Sequence, residues 1–419
     1  MEEDRKPHIY LITQDFPYGH LEDSFIEPEY SYLCKQFHIS VIAAEIASTA
    51  ELLSEEAVKG KGIEACIIPT RQTIAEKLFS LICFLLKKDC YIELVSIVKS
   101  KEKIFRRIYR ALMYGVAAET FYRRLKKSLH LAKDTRALFY FYWWDYKCLG
   151  LTMHKRRYPH IKMIARTHGY DLYDEREMYG KQFFKPQMDR ELDRVIFAAQ
   201  YAKQYYLNRY NRSDNIKYPV HCLGVRDPKV NLDEGKNQVF HIVSCSYAIP
   251  IKRVELIIEG LCKITDIEIK WVHLGNGSEL DRLKDMAKKK FGKNIDYNFA
   301  GELLNQDVIN YYKENNVNCF ITTTSTEGGN PVSVQEALSF GIPIIATAVG
   351  DIPRMVNNNG VLLSENPTGD EVAQAIRKIA SMDGADYIDL RKNSYRVYCR
   401  NYNADTNHRK LMEDLSLII

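Results

Sequence analysis

Short apolar runs, each followed by a longer amphipathic segment, recur along this chain of 419 residues. Runs rich in Ile, Val and Thr predict buried parallel strands, and apolar residues spaced three or four positions apart predict helices. The predicted strands are residues 8–14, 39–44, 138–142, 162–166, 195–198, 239–245, 268–274, 296–300, 319–323 and 343–348. Strands that alternate with helices in this way indicate parallel α/β sheets.

A break in the pattern divides the chain. Residues 221–228 leave the strand pattern, and the stretch VNLDEGKNQ at residues 230–238 is mostly polar. We therefore predict an N-terminal domain of residues 1–224 and a C-terminal domain of residues 225–402. A last helix at about residues 403–419 is expected to pack back on the N-terminal domain. The predicted fold is α/β, with two doubly wound Rossmann-like domains facing a central cleft, which is the default ligand site.

Residues 318–356 carry the clearest chemical signal, because they read as strand, glycine-rich loop, helix and strand. Asn330 is the predicted N-cap, Pro331 the first helical residue and Gly341 the residue after the C-cap. Amides at such a helix start favour a phosphate. Glu327 and Glu336 would repel that phosphate unless they accept hydrogen bonds from vicinal hydroxyls, as in ribose or a sugar. The alternative is a surface Glu and an ordinary helical Glu.

Composition excludes several classes of protein. The net charge of +5 is too small to argue for a nucleic-acid partner, and ten cysteines include no C-x-x-C pair or zinc spacing. No signal peptide is recognisable, so a cytoplasmic protein with reduced thiols is expected. No apolar run approaches the roughly 20 residues that a membrane-spanning helix needs.

Several segments, in chain order, resemble retaining glycosyltransferases of family 4, which have the GT-B fold. They are the FPYG turn, ARTHGYDLY, IVSCSYAIPIKRVELIIEGL, HLGNGSELDRL, DYNFAGEL and STEGGNPVSVQEALSFGIPIIATAVG. The resemblance implies transfer of a sugar from a UDP- or GDP-linked donor to a hydroxyl of a glycan or lipid-linked glycan. The resemblance implies that the reaction needs neither a metal nor another cofactor. It also implies a role in the synthesis of a bacterial capsule, exopolysaccharide or O-antigen.

The resemblance also assigns roles to residues. Lys252 would neutralise the donor diphosphate, Glu327 would hold the donor sugar and β-phosphate, and His168 would face the sugar from the other domain. Glu336 would take the ribose hydroxyls. The full predicted donor-binding set is Gly19, Tyr247, Arg253, Gly275, Gly277, Gly328, Gly329, Asn330, Pro331, Val332 and Glu336. A lone His before Gly is otherwise a structural loop residue, so that alternative stays open for His168.

Three departures from the family pattern leave alternatives open. Tyr247 stands where the family has an Arg, with Arg253 as a substitute cation. The spacing from Glu327 to Glu336, nine residues, is one longer than usual. Arg354 replaces a Glu after the second glycine loop. A weakly active or inactive nucleotide-sugar-binding protein is therefore one alternative, and another GT-B enzyme, such as an epimerase or a phosphorylase, is a second.

Residues 71–133 differ in charge from the rest of the chain. They hold 15 Lys and Arg against 5 Asp and Glu, which leaves the remaining residues with 44 basic and 49 acidic side chains. Aromatic residues are interleaved with the basic clusters at 87–88, 99–110 and 123–127. This pattern predicts peripheral contact with an anionic membrane, at the inner face of the plasma membrane. The alternative is a set of amphipathic helices packed on the N-terminal sheet with solvated Lys and Arg outside.

Overall fold

The computed structural model describes residues 6–19, 22–45 and 52–419. The chain forms two compact units. The first comprises residues up to His221 together with His408–Ile419, and the second comprises Cys222–Asn407.

The first unit is built on a parallel sheet, with six strands among its described residues. The strand order is β3-β2-β1-β4-β5-β6, and the strands are β1 His8–Thr13, β2 His38–Ala43, β3 Ala65–Ile67, β4 Leu138–Phe141, β5 Lys162–Thr167 and β6 Arg194–Phe197. The helices are α1 Asp23–Gln36, α2 Glu55–Gly60, α3 Ile74–Leu85, α4 Lys88–Ser100, α5 Ile104–Ser128, α6 Tyr146–Thr152, α7 Lys185–Glu191 and α8 Gln200–Tyr210.

The second unit, described throughout, is built on another six-stranded parallel sheet. Its order is β12-β11-β10-β7-β8-β9, and the strands are β7 Phe240–Cys245, β8 Ile269–Leu274, β9 Ile295–Gly301, β10 Cys319–Thr322, β11 Ile344–Thr347 and β12 Gly360–Leu363. The helices are α9 Val254–Leu261, α10 Leu280–Lys290, α11 Asn305–Glu314, α12 Val332–Ser339, α13 Ile352–Met355, α14 Gly369–Ala380, α15 Gly384–Asn401 and α16 Ala404–Ser416. Residues of α16 from His408 onward belong to the first unit.

The prediction of two doubly wound α/β sheets is confirmed. The ten predicted strands are all present, because buried parallel strands leave continuous apolar runs in the sequence. Two edge strands, β3 and β12, went unpredicted because each is short and partly exposed. In the first unit, Leu411, Met412 and Leu415 of α16 lie in the same apolar cluster as Ile9 and Leu11 of β1.

Residues 71–133 contain three helices, α3, α4 and α5. Two of the aromatic residues and two of the basic residues in this segment are engaged within the first unit. Phe84 and Phe121 are buried in the core of the first unit. Arg123 stacks over the ring of Phe79 and donates to Ser80 Oγ at 2.6 Å. Arg124 donates to backbone carbonyls and pairs with a carboxylate; its partners are Pro69, Arg71 and Glu76.

All ten cysteines lie in described parts of the chain and are free thiols. None of the described helices combines the length and the hydropathy that crossing a bilayer requires.

Each sheet has one place where the strand order reverses direction. In the first unit this place lies between β1 and β4, and in the second it lies between β7 and β10. Loops that leave two such strands at their carboxyl ends diverge to opposite faces of the sheet, which opens a crevice for ligands. Ligand-binding residues are therefore expected in and beside the loops after β1, β4, β7 and β10.

Candidate functional site

In the second unit, the loops after β7 and β10 are joined by hydrogen bonds at the reversal point. The Ile251 carbonyl accepts from the Ser325 amide at 2.8 Å and from Ser325 Oγ at 3.0 Å. Thr323 Oγ1 donates to the Arg253 carbonyl at 2.8 Å. These bonds fix residues 249–253 against residues 323–325, so that side chains from both loops share one edge of the sheet.

Arg253 acts within this loop pair. Its guanidinium donates to the backbone carbonyls of Thr323 at 2.8 Å, Thr324 at 2.9 Å and Glu365 at 2.7 Å. It also donates to Asn366 Oδ1 at 3.0 Å. In this arrangement Arg253 holds three loops together, and its donors are directed at protein acceptors rather than at an open site.

Lys252 and Glu327, predicted from separate motifs, meet at this edge. Lys252 Nζ donates to Glu327 Oε1, and both side chains are largely shielded, with 20% and 13% of their surface exposed. A Cβ on Gly350, in the loop after β11, would overlap the Glu327 carbonyl oxygen, so that loop packs directly behind Glu327. Glu327 therefore contacts Lys252 even though the segment between Glu327 and Glu336 is one residue longer than usual.

The helix start differs from the prediction in one detail. Pro331, with φ −60° and ψ 126°, is the N-cap of α12, and no side chain caps the helix. Asn330 lies one position earlier and donates from Nδ2 to Cys222 Sγ at 3.3 Å, so its prediction as N-cap was wrong. The helix ends as predicted, with Gly341 after the C-cap at φ +65°. The first-turn amides of α12 follow the loop of Gly328 and Gly329 and favour an anion.

Glu336 is the buried carboxylate of the site. It is 3% exposed and accepts a hydrogen bond at Oε1 from Asn305 Nδ2 at 2.5 Å. Burial raises its pKa to about 7, and the bond from Asn305 only partly opposes that rise. Burial also raises the pKa of the neighbouring Cys245 thiol at the end of β7; there Glu336 adds to the rise and Lys252 opposes it. The charges of Glu336 and Lys252 therefore both influence the Cys245 thiol at the end of β7.

Gly275 and Gly277 follow β8 with φ of +144° and +156°, a region that favours glycine. A Cβ on Gly275 would overlap the Ser246 carbonyl oxygen, and one on Gly277 would overlap the Ala248 carbonyl oxygen. Their immediate role is to let the loop after β8 pack against the loop after β7. Tyr247, in that second loop, is 55% exposed.

The substituted arginine after β11 does not join the other groups of the edge. Arg354 is exposed and pairs at 3.3 Å with Asp351, the N-cap residue of its own short helix α13.

In the first unit, His168 follows β5 and is held by the loop after β4. Its backbone amide donates to Asp171 Oδ1 at 2.6 Å, and Asp171 Oδ2 accepts from the Trp144 amide at 2.8 Å. The imidazole packs on Trp143, with ring centroids 4.2 Å apart. Burial, together with the nearby Arg166 charge, lowers the pKa of His168 to about 3.

His168 is consequently neutral at physiological pH. Its Nε2 has no hydrogen-bond partner among the described residues. A neutral imidazole with a free nitrogen is suited to hydrogen-bonding a hydroxyl, and it is unsuited to neutralising a phosphate.

The loop after β1 is organised by Glu22, which the sequence interpretation did not single out. Its carboxylate accepts from the backbone amides of Gln14 at 2.9 Å, Asp15 at 2.8 Å and Phe16 at 2.9 Å. It also accepts from the Trp143 indole, which ties the loop after β1 to the loop after β4. An acidic residue immediately before α1 was the only sequence signal.

Gly19 lies in the same loop. Its amide donates to the Asp15 carbonyl at 2.9 Å, and a Cβ there would overlap the Asp15 carboxylate. A side chain at this position would therefore have to displace the Asp15 side chain.

A second missed group is a buried ionic cluster after β4. Lys147 Nζ contacts Asp145 Oδ2 at 2.5 Å and Glu45 Oε2 at 3.4 Å. Tyr170 OH donates to Asp145 Oδ2 at 3.3 Å. Burial raises the pKa of Asp171, in the same loops, to about 7. This polar cluster borders the segment that carries His168.

Within residues 6–19, 22–45 and 52–419, no three or more His, Cys, Asp or Glu side chains are grouped so as to hold a metal ion.

Comparison with known proteins identifies the class of the fold. Residues 226–397 match the family model "Glycosyl transferases group 1". No curated protein sequence matches the chain significantly.

Three solved structures share the whole fold. The lipopolysaccharide outer core galactosyltransferase WaaB, in its apo form, is 14% identical, with 98% of this chain and 100% of that chain covered and a TM-score of 0.63. Anabaena HepE in complex with UDP and glucose is 12% identical, with coverage of 98% and 99% and a TM-score of 0.66. A mutant of S. aureus TarM in complex with fondaparinux, alpha-GlcNAc-glycerol and UDP is 11% identical, with coverage of 97% and 99% and a TM-score of 0.64.

These likenesses establish the fold. The two parallel six-stranded sheets with their helices match the GT-B fold of these structures, and the α/β fold class predicted from the sequence is confirmed.

Proposed function

We propose that this protein is a retaining glycosyltransferase that moves a sugar from a UDP- or GDP-linked donor to an acceptor hydroxyl without a metal ion. The observation that carries the proposal is the convergence of three groups at the reversal point of the second sheet. They are the Lys252–Glu327 pair, the uncapped start of α12 and the buried carboxylate of Glu336. Together they offer a cation and amides for a diphosphate and a carboxylate for ribose hydroxyls.

The ion pair gives Lys252 a defined task. A diphosphate carries more charge than Glu327, so an incoming donor would draw Lys252 away from the glutamate and leave Glu327 free to accept from sugar hydroxyls. Negative charge grows on the diphosphate as the glycosidic bond breaks, and Lys252 would stabilise that charge. The leaving phosphate would accept the acceptor's proton on the same face of the sugar, so no protein base is needed.

His168 would contribute a neutral hydrogen bond to a hydroxyl of the sugar, as the family resemblance implies. Its low pKa and the free Nε2 support this role over that of a cation. The indole of Trp143 against the ring would keep that nitrogen in one orientation.

The acceptor is proposed to be a glycan or a lipid-linked glycan in the synthesis of a bacterial capsule, exopolysaccharide or O-antigen. The support is the family resemblance, together with the likeness in fold to WaaB, a lipopolysaccharide outer core galactosyltransferase, and to TarM in complex with fondaparinux and alpha-GlcNAc-glycerol. On this proposal the protein works in the cytoplasm, peripherally at the inner face of the plasma membrane.

The decisive experiment measures release of free nucleotide from UDP-glucose, UDP-galactose, UDP-N-acetylglucosamine and GDP-mannose, with and without glycan acceptors. Release that depends on acceptor, with an α-linked product from an α-linked donor by NMR, supports the proposal. Tight nucleotide-sugar binding without turnover across the panel would instead favour a non-catalytic binder. A thermal-shift comparison of UDP with GDP identifies the base, since a ligand at ~100 times its Kd adds roughly 2.7 kcal/mol to the native state.

A further inference from the structure

Helix α3 presents its apolar side to solvent. Ile74, Leu78, Ile82 and Leu86, spaced along one side of α3 and its C-cap, are 79%, 57%, 61% and 78% exposed. A helix on a globular domain normally turns such a stripe toward the core. The exposure is therefore a feature that folding of the unit does not explain.

The inner side of α3 shows that this orientation is built in. Ser80 is buried there and hydrogen-bonds Thr120 of α5 at 2.7 Å. Phe84 is fully buried at Gly115 of α5, where a Cβ would overlap its ring. A buried hydroxyl pair and a glycine matched to one ring fix the rotation of α3, and that rotation leaves the aliphatic side outside.

The two following helices continue the feature. On α4, Tyr91, Val95 and Val98 are each more than half exposed, while Ile97 is buried. At the start of α5, Phe105 is 89% exposed and Tyr109 is also largely exposed. Both α3 and α4 pack against α5. We call the outer sides of α3, α4 and the first two turns of α5 the outer apolar face.

The exposed charges around this face are predominantly basic. Within residues 71–110, all of which are described, exposed basic residues outnumber exposed acidic ones by seven to one. The basic residues are Arg71, Lys77, Lys88, Lys99, Lys101, Lys103 and Arg106. The one exposed acid, Glu102, is paired with Arg107 at 2.7 Å. The outer apolar face thus combines exposed apolar side chains with exposed Lys and Arg residues that occur throughout residues 71–106.

We propose that the outer apolar face docks on an anionic lipid bilayer, with its aliphatic and aromatic side chains in the interface and its Lys and Arg at lipid phosphates. Amphipathic surfaces of this composition bind in the interfacial plane, through buried apolar area and attraction to anionic lipid. A second copy of this chain would fit less well, because it would bring the same unpaired basic residues against one another. The inference names the surface for the peripheral location proposed above, but it does not depend on glycosyltransfer.

Co-sedimentation of the full chain with vesicles tests this docking without any nucleotide-sugar. Vesicles of phosphatidylcholine with phosphatidylglycerol should recover the protein, and recovery should fall as salt rises. Each basic residue near anionic lipid contributes about fivefold to partitioning, so the variant Lys99→Gln/Lys101→Gln/Lys103→Gln should bind on the order of a hundredfold more weakly. The variant Leu78→Ser/Ile82→Ser, which changes two exposed side chains, should also lose binding while keeping its melting temperature.

The matched control is Lys126→Gln/Lys127→Gln, which removes two exposed charges from the far end of α5 and should bind as the unchanged protein does. Equal recovery on neutral and anionic vesicles would overturn the proposal, as would unchanged binding of the Leu78→Ser/Ile82→Ser variant. Absence of vesicle binding would also overturn it, and dimerisation in light scattering, lost on Leu78→Ser/Ile82→Ser, would then assign the face to a second copy. None of these outcomes bears on acceptor-dependent nucleotide release, which tests the proposed function separately.

Discussion

Replacing Glu336 by Gln should stabilise the second unit at neutral pH and, at the same time, weaken nucleotide binding. Glu336 is almost fully buried, and its ionised form is supported by a single described hydrogen bond, from Asn305. Burial raises its pKa from 4.5 to about 7. Ionised Glu336 therefore costs the empty protein free energy, and a hydroxylated ligand would recover part of that cost.

The magnitude follows from linkage between proton binding and folding. Because the folded-state pKa of Glu336 lies above its unfolded value, the folded protein is favoured by this group below pH 4.5, and that advantage is lost as pH rises through 7. Each pKa unit corresponds to about 1.4 kcal/mol, so the loss approaches about 3 kcal/mol by pH 8. Gln does not ionise, and the Glu336→Gln variant should therefore escape the loss.

Urea unfolding at pH 5, 6, 7 and 8 measures this effect. The midpoint of Glu336→Gln should lie near that of the unchanged protein at pH 5 and rise above it as pH increases. Glu314→Gln, at an exposed position at the end of α11 in the same unit, is the matched control and should follow the unchanged protein at every pH. Parallel midpoints for Glu336→Gln across this range would refute the argument from burial.

Calorimetric titration with UDP and GDP measures the opposite effect on binding. Hydrogen bonds to a charged group contribute roughly 1.5–3 kcal/mol, so Glu336→Gln should bind about tenfold to a hundredfold more weakly at pH 8. Binding to the unchanged protein should weaken by about tenfold per pH unit below 7, because the carboxylate must be ionised to accept both ribose hydroxyls. Unchanged affinity in the variant would remove Glu336 from the nucleotide site.

Three further predictions concern Lys252, the metal requirement and Glu22. Lys252→Ala should lower catalytic efficiency about tenfold to a hundredfold, because one charge-assisted contact with the diphosphate is lost. The control Lys378→Ala, at an exposed position on α14, should leave steady-state rates unchanged. Normal rates for Lys252→Ala would contradict the role of Lys252. Transfer should persist in excess EDTA, and complete loss restored by Mg²⁺ or Mn²⁺ would contradict a mechanism that relies on Lys252 and the α12 amides. Glu22→Ala should destabilise the first unit by at least about 3 kcal/mol, because three backbone amides lose a buried acceptor; a melting temperature within a degree of the unchanged protein would show that water replaces the carboxylate.

Local sequence signals predicted the fold well where burial is continuous. The central strands were found within one or two residues of their observed bounds. Edge strands β3 and β12 lack a full apolar run and were missed. The short helix α6 was also missed, since its signal is a single capping residue, Asp145, whose side chain accepts from the Lys147 amide.

Sequence motifs identified residues of the candidate site but did not predict which of them contact one another. Lys252, Glu327 and Glu336 were named from sequence, but the pairing of Lys252 with Glu327 joins residues 75 positions apart and follows from strand order. The structural task of Arg253 depends equally on carbonyls from distant loops. The role of Glu22 could not be predicted from the sequence, because its carboxylate accepts hydrogen bonds from a turn that only the folded chain forms.

Hydrogen–deuterium exchange in the presence of saturating UDP or GDP tests the location of the donor site most directly. The site described here predicts slower exchange in residues 246–253 and 323–336, the two loops and the helix start that hold Lys252, Glu327 and Glu336, and the same protection should shrink in Lys252→Ala. Saturating binding, verified by calorimetry, that leaves both segments unprotected and slows exchange elsewhere would contradict it.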